Sequence, residues 1–360
     1  MLPQPPTEHD LGGTAWARRW QAGNVAHSES ARVAAIRARP VRAVGFEPLP
    51  APAGGLRRSI VPIKPDGSSP PLFMFGGAAG EVFSFKRLAE RIRGDIRVYG
   101  LEGPGLYADR PTIDNRDDLV SHYVAEIEDV WPEGLCLVGG FSFGAMIGLE
   151  VARRLDEQGR ETELLLFDYG PDWAPRRTAW YEPVVRPFRV AAFHWRNYRG
   201  LEGQRRSGYR RELFRSETQR MARRLHLAQE GAGYRMALRV GRRRPPGYAA
   251  MHTSSRKVRA DWDWTSHPYQ RHITLLRCDI SLPAATPNET LGFDERSAPG
   301  GITARRVPGH HAFMFVEPHI FTVLVEVEDW VDRVAPAGHA AVEGSVDRGE
   351  AAPSEAVSPA

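Results

Sequence analysis

Cysteine is scarce in this chain, with two in 360 residues, Cys136 and Cys278. Both stand in apolar, strand-like runs, which argues against a disulfide framework or a metal site and leaves buried free thiols as the expectation. Long apolar runs are missing too. None approaches the roughly 18 to 20 residues that a membrane helix needs, so no membrane partner is expected. The first ten residues are polar and proline-rich, without a basic stretch leading into an apolar one, and a cytoplasmic protein is expected. Between residues 171 and 260 acidic side chains are few: 6 Asp and Glu stand against 22 Arg and Lys. The rest of the chain is therefore net acidic, although the whole carries only +4. Such a basic stretch fits nucleic acid, an acidic protein partner or a solvated arginine-rich surface. No zinc spacing, helix-turn-helix pattern or aromatic RNA-binding signature accompanies it, so nucleic acid is not expected.

What is present is ordinary globular material, 42% hydrophobic and 26% charged, enough for one large domain or two small ones. The stretch that organises it is the apolar run 135–139, which ends in Gly140-Phe141-Ser142-Phe143-Gly144 and passes into a helical pattern over 145–155. Gly-x-Ser-x-Gly is short enough to arise by chance, and the serine of such a turn can merely cap the helix. The context is nevertheless the one the chemistry requires: a buried strand, a tight turn, then a helix. A serine at that tip sits in strained backbone, and Gly140 and Gly144 leave room for it. The helix N-terminus stabilises negative charge developing beside Ser142.

In chain order, residues 1–55 read as an N-terminal extension, with short helices at 15–20 and 30–39 and a Pro/Gly linker at 48–55. An edge strand follows at 59–64, then a strand at 71–75, the loop Gly76-Gly77-Ala78-Ala79-Gly80 and a helix over 82–92. The loop lacks the Gly-Lys-Ser/Thr of a P-loop and the full Gly-x-Gly-x-x-Gly of a dinucleotide site. Its better use is to place a backbone N–H beside a serine on the next strand. A strand at 96–99, a helix at 114–131 and a strand at 163–168 complete an α/β alternation that predicts a mostly parallel central sheet flanked by helices. From about 170 to 268 the rhythm breaks into arginine and aromatic residues without period-2 alternation, a mostly helical insertion. Strands at 273–278 and 302–307 and an amphipathic helix at 318–334 close the domain, 56–335 in all. Residues 336–360 hold almost no large apolar side chains and are expected to be disordered.

A serine hydroxyl needs an adjacent base, and that base needs an acid to orient it. In this architecture the chain order is Ser, Asp, His. Asp168 ends the strand after the Ser142 helix and is the favoured acid, with Asp279 and Asp294 as rivals. His310 and His311 follow the last strand. The expected oxyanion donors are the N–H of Phe143 and one from Gly77 or Ala78.

These residues resemble, in order, the thioesterase domains that release products from nonribosomal peptide and polyketide synthases, which are α/β-hydrolases. The resemblance spans roughly 59–334. It rests on Pro71-Leu72-Phe73-Met74-Phe75-Gly76-Gly77, on Val98-Tyr99-Gly100-Leu101 with Pro104-Gly105, on the Ser142 turn, on Leu165-Leu166-Phe167-Asp168 and on Val307-Pro308-Gly309-His310-His311. It implies His311 as the base, a helical lid where the basic insertion stands, no bound cofactor or metal, and a substrate carried as a thioester on the phosphopantetheine of an acyl or peptidyl carrier protein. Such carriers are acidic, which would make Arg205, Arg206, Arg210 and Arg211 a docking surface. Gly76 departs from the histidine common at its position, and His310 from the usual aspartate or asparagine. No carrier-attachment motif lies upstream, so a freestanding enzyme acting in trans is expected. The alternatives are a carrier-independent carboxylesterase and a non-catalytic binding protein that keeps the fold.

Overall fold

The computed structural model describes residues 24–47, 49, 58–78, 80–106, 112–173, 267–280 and 289–336, with isolated positions between 195 and 262. Among them, seven strands form one sheet: β1 (Ile60–Lys64), β2 (Leu72–Phe75), β3 (Val98–Leu101), β4 (Cys136–Phe141), β5 (Thr162–Phe167), β6 (Ile273–Ile280) and β7 (Ile302–His310), in the spatial order β1-β3-β2-β4-β5-β6-β7. β1 runs antiparallel on β3 and every other pairing is parallel. This is the mostly parallel sheet that the strand–helix alternation predicts, in the α/β-hydrolase arrangement that the resemblance implies.

The central strands are buried on both faces, which is why they read as unbroken apolar runs. Phe73, Phe75, Val138, Leu164 and Leu166 point to one side. There α3 (Arg116–Val130) and α4 (Phe143–Glu157) cover them with Leu119, Tyr123, Ile127, Met146 and Val151. Leu72, Met74, Leu137, Leu165 and Phe167 face the other way, under α2 (Lys86–Arg91) and α5 (Ile320–Val334). Outermost on that side is α1 (Asn24–Ala38), whose Ile36 enters the same core. Arg32 of α1 and Arg39, just beyond its end, pair with Asp329 and Glu328 of α5.

Boundaries moved where a side chain took over a backbone group. The expected helix at 82–92 is a 3-10 turn, Phe83–Phe85, followed by the short α2, and Val82 offers no side-chain cap. β3 begins two residues later than expected, because the Ile96 carbonyl accepts Lys64 Nζ at 2.6 Å. α3 starts where Asn115 caps the N–H groups of Asp117 and Asp118. The expected helix at 15–20, most of the linker at 48–55, most of the insertion and the 337–360 tail lie outside the described residues.

From β2 the chain moves outward to β3 and then returns to β4 on the other side of β2. The sheet therefore has a topological switch point between β2 and β4, and the crevice at their carboxyl ends is where open α/β sheets bind ligands. Ser142 and the glycine loop occupy that crevice.

Candidate active site

The register places the site residues. Phe75 is aligned with Gly140, so Gly77, two residues on, stands level with Ser142. Phe141 is aligned with Phe167, so Ser142 and Asp168 each follow an aligned pair. Ser142 adopts φ 55°, ψ −123° and is half-buried. Its N–H donates to the Phe167 carbonyl at 3.3 Å, and its own carbonyl accepts from Ala145 at 2.9 Å. Those bonds hold a conformation that costs about 1–3 kcal/mol. Asp168 has φ 50°, so two of the three non-glycine residues with positive φ among those described belong to the expected triad.

Glycine is required around this turn. A Cβ on Gly144 would lie 2.2 Å from the Phe75 carbonyl oxygen, and one on Gly140 would lie 2.4 Å from the Gly144 oxygen. Gly76 obeys the same constraint: a Cβ there would meet Glu81 O at 2.2 Å.

Asp168 is 0% exposed, and both its oxygens are engaged. Cys278 N–H donates to Oδ1 at 2.9 Å, and His311 Nδ1 lies 2.9 Å from Oδ2. A carboxylate can only accept from the ring, so Nδ1 carries the proton and Nε2 keeps its lone pair. His311 reaches Asp168 through an irregularity in β7: three residues of β6, Cys278 to Ile280, match four of β7, Val307 to His310. Gly309 in that bulge has φ 104°. One extra residue reverses the side-chain parity of a strand. The His311 ring then stacks on Phe141, the residue before Ser142, with centroids 4.8 Å apart. Of the rival acids, Asp294 spends its carboxylate on Ser297 and Arg296 in its own turn, which lowers its pKa. The side chains of Asp279 and His310 lie outside the described residues.

Opposite Asp168, the glycine loop comes within contact of the serine: a Cβ placed on Gly77 would be 3.7 Å from Ser142 Cβ. Gly77 O accepts from Gly80 N–H at 2.8 Å. Because a trans peptide carries its C=O and N–H on opposite sides, the Ala78 N–H points away from that turn. Phe143 opens α4, whose first turn holds no acidic residue, so nothing there offsets the positive end of the helix dipole. A small cleft adjoins these groups, lined by Gly77, Phe143, Tyr123, Ile147, Ser254 and Ser255 among others.

Three contributors had no sequence motif to announce them: Phe141 through its stack, Cys278 through its N–H, and Arg277. The last had a signal, a charge inside the otherwise apolar β6. Arg277 is buried, which draws its pKa down, while Glu289 at 3.5 Å and the charges of Asp168 and Asp172 oppose the shift. The thiols are free and buried, and burial pushes Cys136 up to about 11. Among the described residues no group of His, Cys, Asp and Glu could hold a metal ion, and no helix is long and apolar enough to cross a membrane. Of the expected docking residues, Arg210 is exposed, and Arg205, Arg206 and Arg211 lie outside the described residues.

Residues 70–191, which hold the glycine loop, the serine turn and Asp168, match the family model described as thioesterase domain. That match takes in about a third of the chain. The chain is 35% identical over 118 residues to an inactive atromentin synthetase of Paxillus involutus, covering 32% of this chain and 12% of that protein. To malpinin synthetase of Mortierella alpina it is 33% identical over 115 residues, 32% of this chain and 2% of that one. The chain thus spans a small fraction of the length of these relatives. The chain also superposes on a four-domain nonribosomal peptide synthetase bound to AMP and glycine (TM-score 0.52, 16% identity, 77% of this chain and 20% of that one). A second match is the NocB thioesterase domain in covalent complex with a fluorophosphonate nocardicin G analogue (TM-score 0.50, 18% identity, 75% and 98%). Those two likenesses concern the fold.

Proposed function

We propose that this protein is a thioesterase that takes an acyl or peptidyl chain from the phosphopantetheine thioester of a carrier protein onto Ser142 and releases it, by water or by a nucleophile of the chain itself, in natural-product biosynthesis. The observation that carries the reading is the 2.9 Å contact between His311 Nδ1 and a fully buried Asp168, at the sheet edge that also presents the Ser142 turn. His311 Nε2 takes the proton from Ser142 Oγ as that oxygen bonds to the thioester carbon. The negative charge on the former carbonyl oxygen is met by the N–H of Phe143 and by one from Gly77 or Ala78. On collapse the C–S bond breaks, and the departing sulfur receives the proton from His311. Water or an internal hydroxyl or amine then gives its proton to His311, attacks the ester and returns Ser142 to its starting state.

The arginine-rich stretch, including the exposed Arg210, suits an acidic carrier by charge complementarity. The test is intact-protein mass spectrometry of wild type and Ser142→Ala after brief exposure to a panel of acyl-phosphopantetheinyl carrier proteins. The expected result is an acyl mass increment on wild type that the variant lacks. No increment and no released product from any carrier would overturn the reading. Equal turnover of a simple oxygen ester and a carrier-bound thioester would favour a carboxylesterase instead.

A further inference from the structure

The glycine loop is fixed one peptide at a time, and one of its fixings comes from far along the chain. The Gly77 carbonyl accepts from Gly80 N–H and the Gly80 carbonyl from Gly103 N–H, both at 2.8 Å, so these two are held by neighbouring backbone. Between them in the chain, the Ala78 carbonyl accepts instead from the hydroxyl of Ser255 at 2.9 Å, a residue 177 positions away. Ser255 is 2% exposed and lines the same cleft as Gly77 and Phe143. Its neighbour Ser254 is equally buried but donates elsewhere, to the Ile113 carbonyl at 2.6 Å, ahead of α3. Val258, one turn on, enters the core beneath. This short helical stretch of the insertion is thus anchored at three points, and only one of them touches the loop beside Ser142.

We propose that Ser255 is a positioning residue for the oxyanion donor: its hydroxyl clamps the peptide that follows Ala78, and with Gly80 N–H holding the Gly77–Ala78 peptide on the other side, both peptides flanking the Ala78 Cα are fixed and the Ala78 N–H keeps one direction beside Ser142. The proposal rests on the reading of Ser142 as nucleophile. A flexible glycine loop loses backbone freedom on ordering, and a donor that must meet a developing charge is effective only if ordered beforehand. The clamp supplies part of that order from a residue distant in the chain.

The experiment compares Ser255→Ala with Ser254→Ala, which deletes an equally buried hydroxyl one residue away, and with Ser255→Thr, which keeps the hydroxyl. Hydrogen exchange of the peptide containing residues 76–80 is followed by mass spectrometry, alongside kcat and KM for an acyl p-nitrophenyl ester. In Ser255→Ala, exchange over 76–80 rises at least fivefold and kcat falls about tenfold further than in Ser254→Ala, with KM moving less than twofold. Ser255→Thr recovers most of both effects. Equal exchange over 76–80 in the two alanine variants overturns the proposal, whether or not the ester is turned over. So does a loss confined to KM. A wild type that turns over no ester, with exchange still responding only to Ser255→Ala, counts against the reading of Ser142 and leaves the clamp in place.

Discussion

The two sides of Ser142 are built from different materials. Toward β5, β6 and β7 the work falls to side chains: Asp168 and His311 are buried, joined at 2.9 Å, and tied to the sheet through Cys278 N–H. Toward β2 it falls to backbone: Gly77 adjoins the serine, Gly144 tolerates no Cβ, and the carbonyls of Gly77, Ala78 and Gly80 are each taken by a donor. The first side fails when a functional group is deleted. The second fails when an atom is added or a peptide is allowed to turn. Substitutions can therefore separate chemistry from space at a single site.

The largest effect belongs to the side-chain half. His311→Ala is expected to lower kcat by about 10⁴- to 10⁶-fold, measured on a thioester under saturating conditions, with little change in melting temperature. Asp168→Asn comes next, at about 10⁴-fold. The amide oxygen can still accept from Cys278, but the NH₂ then faces His311 Nδ1 and imposes the other tautomer. Its fold should survive, whereas Asp168→Ala also strands a buried N–H, at a cost of about 1–3 kcal/mol in chemical denaturation. If both variants melt alike and lose activity alike, Asp168 acts only as packing.

On the backbone half, Gly144→Ala is expected to destabilise by about 1–3 kcal/mol, since the added carbon meets Phe75 and Gly76 carbonyl oxygens that cannot retreat. Activity should fall with stability, in contrast to His311→Ala, and thermal melts run beside kinetics distinguish the two patterns. The smallest effect calibrates the comparison from outside the site. Asp332 of α5 bonds Arg93 at 2.6 Å while half-exposed, and that partner lowers its pKa. A carboxylate whose folded pKa is depressed adds stability above its unfolded value and loses it as pH falls through the folded one. Asp332→Asn should cost less than about 1 kcal/mol near neutral pH, nothing once the wild-type carboxylate is protonated, and no activity.

Much of this was legible because it depends on local pattern. Strands buried on both faces read as the apolar runs at 71–75, 135–139 and 163–168, and glycines flanking a serine between a strand and a helix signal a turn with no room for Cβ. The Asp168 position followed from parallel strands ending at one edge. What could not be read depends on register and on distant contacts. The bulge that turns His311 rather than its neighbour toward Asp168 is a mismatch between two strands, Cys278 to Ile280 against Val307 to His310, and the resemblance alone pointed to it. Phe141 reads as the variable residue of a motif until its ring is seen on His311. Ser255 lies in a stretch without periodicity, where nothing distinguishes it from its neighbour.

The most direct test of the central claim is the rate and site of labelling by a serine-reactive fluorophosphonate, with the modified peptide located by mass spectrometry. Wild type should be labelled on Ser142 alone, and His311→Ala at least 10³-fold more slowly. Labelling at another residue, or at the same rate without His311, would contradict the account.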